Sequence, residues 1–298
     1  MSGRAGFGGF CTDLHMHSLA SDGVLTPAQL MDAAAQKGMR LVALTDHDTC
    51  DGVPEAKRRA EELGMVFIPG IELSCGGEKE IHILGYGIDP LNSGLTVFRE
   101  QRRAERIERA EQMMQKLAEA GMPIDRDSVY AQVSGVIGRP HIAAGMVSAG
   151  YVHTVHEAFD QYIAQGHPFY VPRPEVPVRE GCRIIREAGG VPVLAHPMEL
   201  RSGEAVLSSL VHEWRGQGLA GIEIYHPSTP SHKIAMLLGI ARQEGLLVTG
   251  GSDYHGIPKR QDAIGQGMDR WDSAAADLER LFCAMNRPFP REMLGLTR

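Results

Sequence analysis

No run of about 18 or more apolar residues occurs in this chain, so it lacks the signature of a membrane-spanning helix and is expected to be soluble and globular. Cysteine is sparse. Cys11, Cys50, Cys75, Cys182 and Cys283 contain no CxxC pair, which excludes a zinc ribbon, and an odd number fits reduced thiols in the cytoplasm. Positive charge is also short: 30 Lys and Arg face 37 Asp and Glu, for a net charge of −7. That balance argues against broad binding to a nucleic-acid backbone, although a local basic patch could hold a nucleotide or a strand end. Internal repeats and low-complexity tracts are absent. The Gly-rich opening at 1–9 carries Arg4 but no apolar core of the length a secretory signal needs, and reads as a flexible lead-in.

The 298 residues suffice for one large α/β domain or for a barrel with an insertion. Apolar runs alternate with helical patterns. A strand is expected at 10–17, followed by a helix from Thr26-Pro27-Ala28-Gln29 to about Lys37: Thr caps, Pro takes the first turn, Gln sits at the reciprocal capping position and Gly38 ends it. A strand at 40–45, a helix at 54–63 and a strand at 65–73 continue a βαβαβ rhythm. Further strands fall at 80–86, 191–195, 221–225 and 246–249. Seven strands predict a closed or nearly closed β/α barrel.

The rhythm breaks in the middle. The stretch 99–120 is rich in Arg and Glu, with Ile107, Met113, Met114 and Leu117 near helical spacing, and reads as a solvated helix with an apolar seam. Helical patterns at 127–133, 141–149 and 154–165 precede a Pro-rich segment at 168–177. The expected organisation is a barrel at 10–98 and 179–298 with a helical insertion at 99–178 that caps the substrate.

Residues able to bind metal recur at the ends of the apolar runs. His15 and His17 are two apart on an expected strand, so both imidazoles share a face, and Asp13 points away. Asp22 sits in a Ser-Asp-Gly turn. Leu44-Thr45-Asp46-His47-Asp48 ends a buried strand; His47 is the favoured ligand, with Asp46 or Asp48 orienting an imidazole. Glu72 has two oxygens and so can bridge cations. His82, His196, Asp253 and His255 complete the set. In β/α barrels the loops after the strands form the active face, where ligands distant in sequence converge. The N and O donor mixture suits Mn²⁺, Zn²⁺ or Fe²⁺ better than Ca²⁺ or an iron–sulfur cluster, and clustered divalent ions suit phosphoester hydrolysis.

Asp13-Leu14-His15-Met16-His17-Ser18, Ser21-Asp22-Gly23, Thr45-Asp46-His47-Asp48, Gly70-Ile71-Glu72, His82, Ala195-His196-Pro197 and Gly251-Ser252-Asp253-Tyr254-His255 together resemble the PHP (polymerase and histidinol phosphatase) family. The resemblance implies a distorted seven-stranded β/α barrel with three divalent cations, Mn²⁺ foremost, and a hydroxide generated on them as nucleophile. It implies His15, His17, Glu72 and Asp253 around one ion, Glu72, His82 and His196 around the second, and Asp22, His47 and His255 around the third.

The insertion resembles the branch containing 3′,5′-nucleotide bisphosphate phosphatases and related 5′-to-3′ nucleases, through Gly138-Arg139-Pro140-His141 and Gly166-His167-Pro168 to Tyr170-Val171-Pro172-Arg173-Pro174. Arg139 and Arg173, with His141 assisting, are expected to hold a phosphate. Tyr170, Tyr225 and His226 are candidates for the base, and His226 is also a candidate proton donor. The expected activity removes the 3′-phosphate of a nucleoside 3′,5′-bisphosphate such as adenosine 3′,5′-bisphosphate. Alternatives are a 5′-to-3′ exonuclease on short oligonucleotides, a histidinol-phosphate phosphatase and a non-catalytic module; no membrane or protein partner is expected.

Overall fold

In the computed structural model, residues 11–76, 80–131, 133, 135–256 and 263–296 are described. The lead-in at 1–9, residue 10 of the first expected strand and Gln132 of the expected helix at 127–133 lie outside them.

Seven strands lie in sequence order: β1 Thr12–Asp13, β2 Leu41–Leu44, β3 Val66–Cys75, β4 Ile81–Tyr86, β5 Val191–Leu194, β6 Gly221–Tyr225 and β7 Leu247–Gly250. Helices α1 Pro27–Gln36 and α2 Val53–Glu62 connect the first three strands, and α7 Val178–Glu187, α8 Glu204–Gly216, α9 Ser231–Glu244 and α10 Ala274–Ala284 serve the second half. Between them run α3 Ser93–Glu119, α4 Arg126–Ala131, α5 Arg139–Ser148 and α6 Val155–Ala158, the last continuing as a π-helical turn, Phe159–Ile163. Strands covered on both faces read as continuous apolar runs. Accordingly, β2 and β5 are buried at every residue.

The sheet nearly closes on itself. Leu14 N donates to Gly250 O at 3.3 Å and His17 N to Tyr254 O at 2.9 Å, joining the first strand to the last. Gly251 permits this approach, because a Cβ there would sit 2.2 Å from His15 Cβ. Asp13 tightens the seam: its carboxylate accepts from Ser252 N and Oγ, Gly265 N and His15 N. Regular pairing with β2 covers only Thr12 and Asp13, and beyond them the chain makes an isolated bridge from Met16 to Tyr254, so among the described residues β1 is two residues long rather than the eight expected at 10–17.

The capping signals hold at α1. Thr26 Oγ1 accepts from Gln29 N at 3.2 Å, Gln29 Oε1 accepts from Thr26 N at 3.0 Å, and Gly38 follows the helix at φ +78°. One strand runs the other way. β4 is antiparallel to both β3 and β5, whereas the remaining pairings are parallel. The β3–β4 pair extends β3 to Cys75, two residues beyond the end expected at 73.

The long α3 is about 40 Å at 1.5 Å per residue and spans two cores. Leu95 and Phe98 belong to the barrel core, while Ala110, Met113, Met114 and Leu117 belong to a separate core with Ile142, Met146, Ile163 and Val171. The boundary expected at residue 99 therefore falls inside one continuous helix. Ile107 is not part of the seam. It is 40% exposed, because it lies at the level between the two cores, where Arg102 and Arg109 occupy the buried face instead.

Asp48 fastens α3 to the barrel: it receives Arg106 Nε at 3.1 Å and Ser74 N at 2.8 Å. The Arg106 and Arg173 guanidiniums overcome the cost of burial and bring the Asp48 carboxyl down to about 2. Breaking a buried pair strands its partner. Asp48→Asn is expected to lower unfolding stability in urea at pH 7 by about 3 kcal/mol; a loss below about 0.5 kcal/mol, the range of an ordinary surface change, would show that this pair does not dock the helix.

Candidate metal centre

At the mouth of the barrel, Glu72 is fully buried on β3. Its Oε2 lies 3.3 Å from His15 Nε2, 3.2 Å from His17 Nε2 and 3.0 Å from His47 Nδ1. Its Oε1 lies 3.1 Å from His82 Nδ1 and 3.0 Å from His196 Nε2. Five imidazoles thus share one carboxylate. Asp253 Oδ1 adds a second anion, 3.3 Å from His15 Nε2 and 3.1 Å from His17 Nε2. On the outer side, Asp22 Oδ1 stands 3.3 Å from His255 Nε2 and 3.8 Å from His17 Nδ1, and Asp22 Oδ2 is 4.0 Å from His47 Nε2. The structure brings all nine sequence-derived donors together.

Local geometry explains how each arrives. His47, His196, Asp253 and His255 follow β2, β5 and β7, at the end where parallel strands deliver their loops. Glu72 and His82 differ from the strand-end expectation. Glu72 lies within β3, and His82 is the second residue of β4. Because β4 is antiparallel, its start lies at the mouth, and His82 pairs with Ser74, which shares the face of Glu72 two residues earlier. Among the described residues, five non-glycine residues have positive φ, and Asp48 (52°), His196 (26°) and Asp253 (53°) are three of them. Such backbone strain gathers where the surroundings force a side chain into place.

The donor atoms fit divalent cations. His15 Nε2, both His17 nitrogens, His47 Nδ1, Glu72 Oε2 and Asp22 Oδ1 are buried without a hydrogen-bond partner, a condition rare in folded proteins unless a ligand completes the group. Burial alone would push the His17 ring down, but Asp253 and Glu72 hold it up at about 10. His196 likewise rises to about 9 against its burial, chiefly through Glu72. Glu72, Asp22 and Asp253 are held well below the usual carboxylate range by the histidines despite desolvation. The pocket therefore favours positive charge at these points, and its hard-to-borderline N and O donors without thiolate match Mn²⁺, Zn²⁺ or Fe²⁺.

The groups that orient the rings are not those expected. Asp46 accepts from Ser18 N, Ser18 Oγ and Ser21 Oγ, and Asp48 holds Arg106 and Ser74. Glu223 does the orienting instead. Its carboxylate lies 3.1 and 3.3 Å from His15 Nδ1 and accepts from His196 N at 2.9 Å, so His15 turns its Nε2 lone pair into the cluster. Asp253 O plays the same part for His255 Nδ1 at 2.8 Å. His226 is set the other way. Its Nδ1 accepts from Ser228 N at 3.0 Å, so the neutral ring carries its proton on Nε2, which faces Asp253 Oδ2 at 3.9 Å. That nitrogen is buried at the edge of the cluster without a hydrogen-bond partner.

Tyr225, two residues after Glu223, does not reach the site. A bulge between Glu223 and Tyr225 breaks the alternation, and the Tyr225 ring stacks on Trp271 at 5.3 Å. Tyr170 is equally occupied, with the guanidiniums of Arg109 and Arg139 at 5.2 and 5.7 Å from its ring. His141 accepts from Gly138 N at 3.1 Å and so caps α5. Arg139 and Arg173 do converge, both on Glu80 Oε1 at 2.9 and 3.0 Å. With Arg106 and Arg109, which sequence reasoning missed, they line a cavity of about 150 Å³ whose wall also contains Asp22, His47 and His82. The missed signal was periodic: Arg99, Arg102, Arg106 and Arg109 recur at spacings of three and four, the rhythm of the buried face.

Comparisons with known proteins agree with this geometry. The PHP domain model matches residues 13–102. A 3′,5′-nucleoside bisphosphate phosphatase of Chromobacterium violaceum is 35% identical over 82% of this chain and 86% of its own. A 5′-3′ exoribonuclease of Haemophilus influenzae is 33% identical over 88% of this chain and 95% of its own. A solved structure from Bifidobacterium adolescentis, assigned as a metal-dependent phosphoesterase, superposes with a TM-score of 0.80 at 33% identity, covering 92% of this chain and 96% of that one.

Removing the buried carboxylate that aims His15 tests the site directly. Glu223→Gln is expected to weaken Mn²⁺ or Zn²⁺ binding 10- to 100-fold in a chelator competition, the usual loss when a ligand's orienting partner is removed, while the fold by circular dichroism persists. Unchanged affinity would show that His15 needs no such partner.

Proposed function

The chain belongs to the PHP family of metal-dependent phosphoesterases, and on that premise we propose that it removes the 3′-phosphate of nucleoside 3′,5′-bisphosphates, such as adenosine 3′,5′-bisphosphate. The observation that carries this reading is the arginine cavity beside the donor cluster. With Asp22 counted in the donor cluster, Arg106, Arg109, Arg139 and Arg173 face Asp48 and Glu80, four cations against two carboxylates. The surplus of two positive charges is what a second phosphate dianion neutralises, and charge-assisted guanidinium contacts suit it.

His15, His17, Glu72 and Asp253 would hold one cation, Glu72, His82 and His196 a second, and Asp22, His47 and His255 a third, with Mn²⁺ foremost. Divalent cations in such a pocket supply Lewis acidity toward phosphoryl oxygen and make water a usable nucleophile near neutral pH. The chain's own part is placement. The arginine cavity anchors the 5′-phosphate, which sets the 3′-phosphate against the histidine cluster. His226 Nε2–H is the donor toward the departing 3′ oxygen.

The second reading, trimming of short RNA or DNA from the 5′ end, is favoured by the name of the Haemophilus relative. It breaks the same bond, between phosphorus and the 3′ oxygen, with a further nucleoside on the phosphate.

Metal-loaded protein should release inorganic phosphate from adenosine 3′,5′-bisphosphate, and EDTA or Asp253→Ala should abolish the release. Arg139→Ala and Arg173→Ala should each raise KM for the bisphosphate roughly tenfold to a hundredfold, the value of a charge-assisted contact, with a much smaller effect on β-glycerophosphate. Hydrolysis of β-glycerophosphate with none of the bisphosphate would exclude this substrate. Mononucleotides released stepwise from a 5′-labelled oligonucleotide, at rates above those for the bisphosphate, would favour the exonuclease.

A further inference from the structure

The arginine cavity is too small for a nucleotide. At about 150 Å³ it falls below the roughly 300–1,000 Å³ of clefts that enclose small organic ligands. A second cavity of about 780 Å³ falls within that range, and it shares Glu80, His82 and Arg139 with the first. The two meet at His82. The second cavity also reaches His196, so it opens on the same donor cluster from the other side.

Its floor is the short 3-10 turn Pro197–Leu200, which follows β5. Met198 and Leu200 line the cavity and pack on the barrel core beneath, so they form an apolar surface with a fixed underside. Two non-glycine residues of positive φ bracket the turn, His196 at 26° and Arg201 at 48°, and a conformation of that cost persists only where the surroundings hold it. Tyr170 stands in the wall, but its ring is already held by Arg109 and Arg139. The free apolar surface is therefore aliphatic.

We infer that this cavity holds the nucleoside of the substrate, with the base lying on Met198 and Leu200, while the arginine cavity takes phosphate alone. The inference rests on the nucleotide reading above and deepens it. A base lying flat on a thioether and an isobutyl group gains contact from its face, which every base has, and little from its edge. Weak base preference follows.

The test compares the metal-loaded parent with Met198→Ala/Leu200→Ala. The double variant should raise KM for adenosine 3′,5′-bisphosphate about tenfold with kcat retained, leave kcat/KM for β-glycerophosphate within twofold, and weaken calorimetric binding of AMP about tenfold but not of inorganic phosphate. Met198→Leu should restore parent values. Equal losses on β-glycerophosphate, or unchanged AMP binding, would overturn the assignment, as would a preference above a hundredfold among bisphosphates of the four bases. Should the double variant fail to fold, Met198→Ala alone carries the same comparison, since this side chain is only half-buried. If the parent hydrolyses β-glycerophosphate but no bisphosphate, the substrate reading falls. AMP binding then decides the cavity: equal binding by parent and variant, or none by either, overturns it.

Discussion

Glu72 is the group on which the arrangement at the barrel mouth depends. A fully buried carboxylate with five imidazole nitrogens within 3.3 Å is tolerable only because the charge around it is balanced; burial of an isolated anion would cost far more than a fold can recover. Its two oxygens divide the histidines into three at Oε2 and two at Oε1. That division requires β4 to run against its neighbours, since only then does the beginning of a strand, carrying His82, arrive where other strands end. Reversal of one strand in a β/α barrel is thus tied to the chemistry at its mouth.

A second constraint is that charge of the opposite sign must stand close by without collapsing onto the first. The arginines of α3, Arg139 and Arg173 would be drawn to Glu72 and Asp22 across a low-dielectric gap. Asp48 and Glu80 intervene. Asp48 holds Arg106, Glu80 holds Arg139 and Arg173, and the Val171 carbonyl accepts from Arg109 Nε at 2.6 Å, so each of these four guanidiniums is fixed at the wall of the cavity beside the histidine cluster. Partial desolvation would raise the Glu80 carboxyl, but these arginines bring it down to about 2, which keeps it charged in its place. Asp48 serves twice, because the same contact docks a helix that belongs to both cores.

Much of this was legible in the sequence because it rests on local rules. The capping box at Thr26, the alternation that puts His15 and His17 on one face, and the strand-ending His47, His196 and Asp253 all follow from positions a few residues apart. What escaped notice depends on register between distant segments. Glu223 orients His15 across 208 positions, and nothing in Gly221–Tyr225 distinguishes an inward Glu from a partly exposed one. The bulge beside it then reverses the expectation for Tyr225. The direction of β4 depends on its pairing with β3, which periodicity cannot show. The Arg face of α3 was misread because arginine at helical spacing normally means solvent; here it faces a cavity that exists only once α3 is packed on Asp48.

The two charge clusters also constrain what sort of molecule fits between them. A small phosphomonoester satisfies the histidine cluster but leaves four guanidiniums facing Asp48 and Glu80. A molecule with two anionic groups a sugar's width apart satisfies both, and its binding energy at the arginines can be used to position the phosphate that reacts. The larger cavity then accounts for the uncharged remainder. On the proposed reading, phosphate, sugar and base would each meet a surface of matching character around Glu80, His82 and Arg139, the residues that the two cavities share.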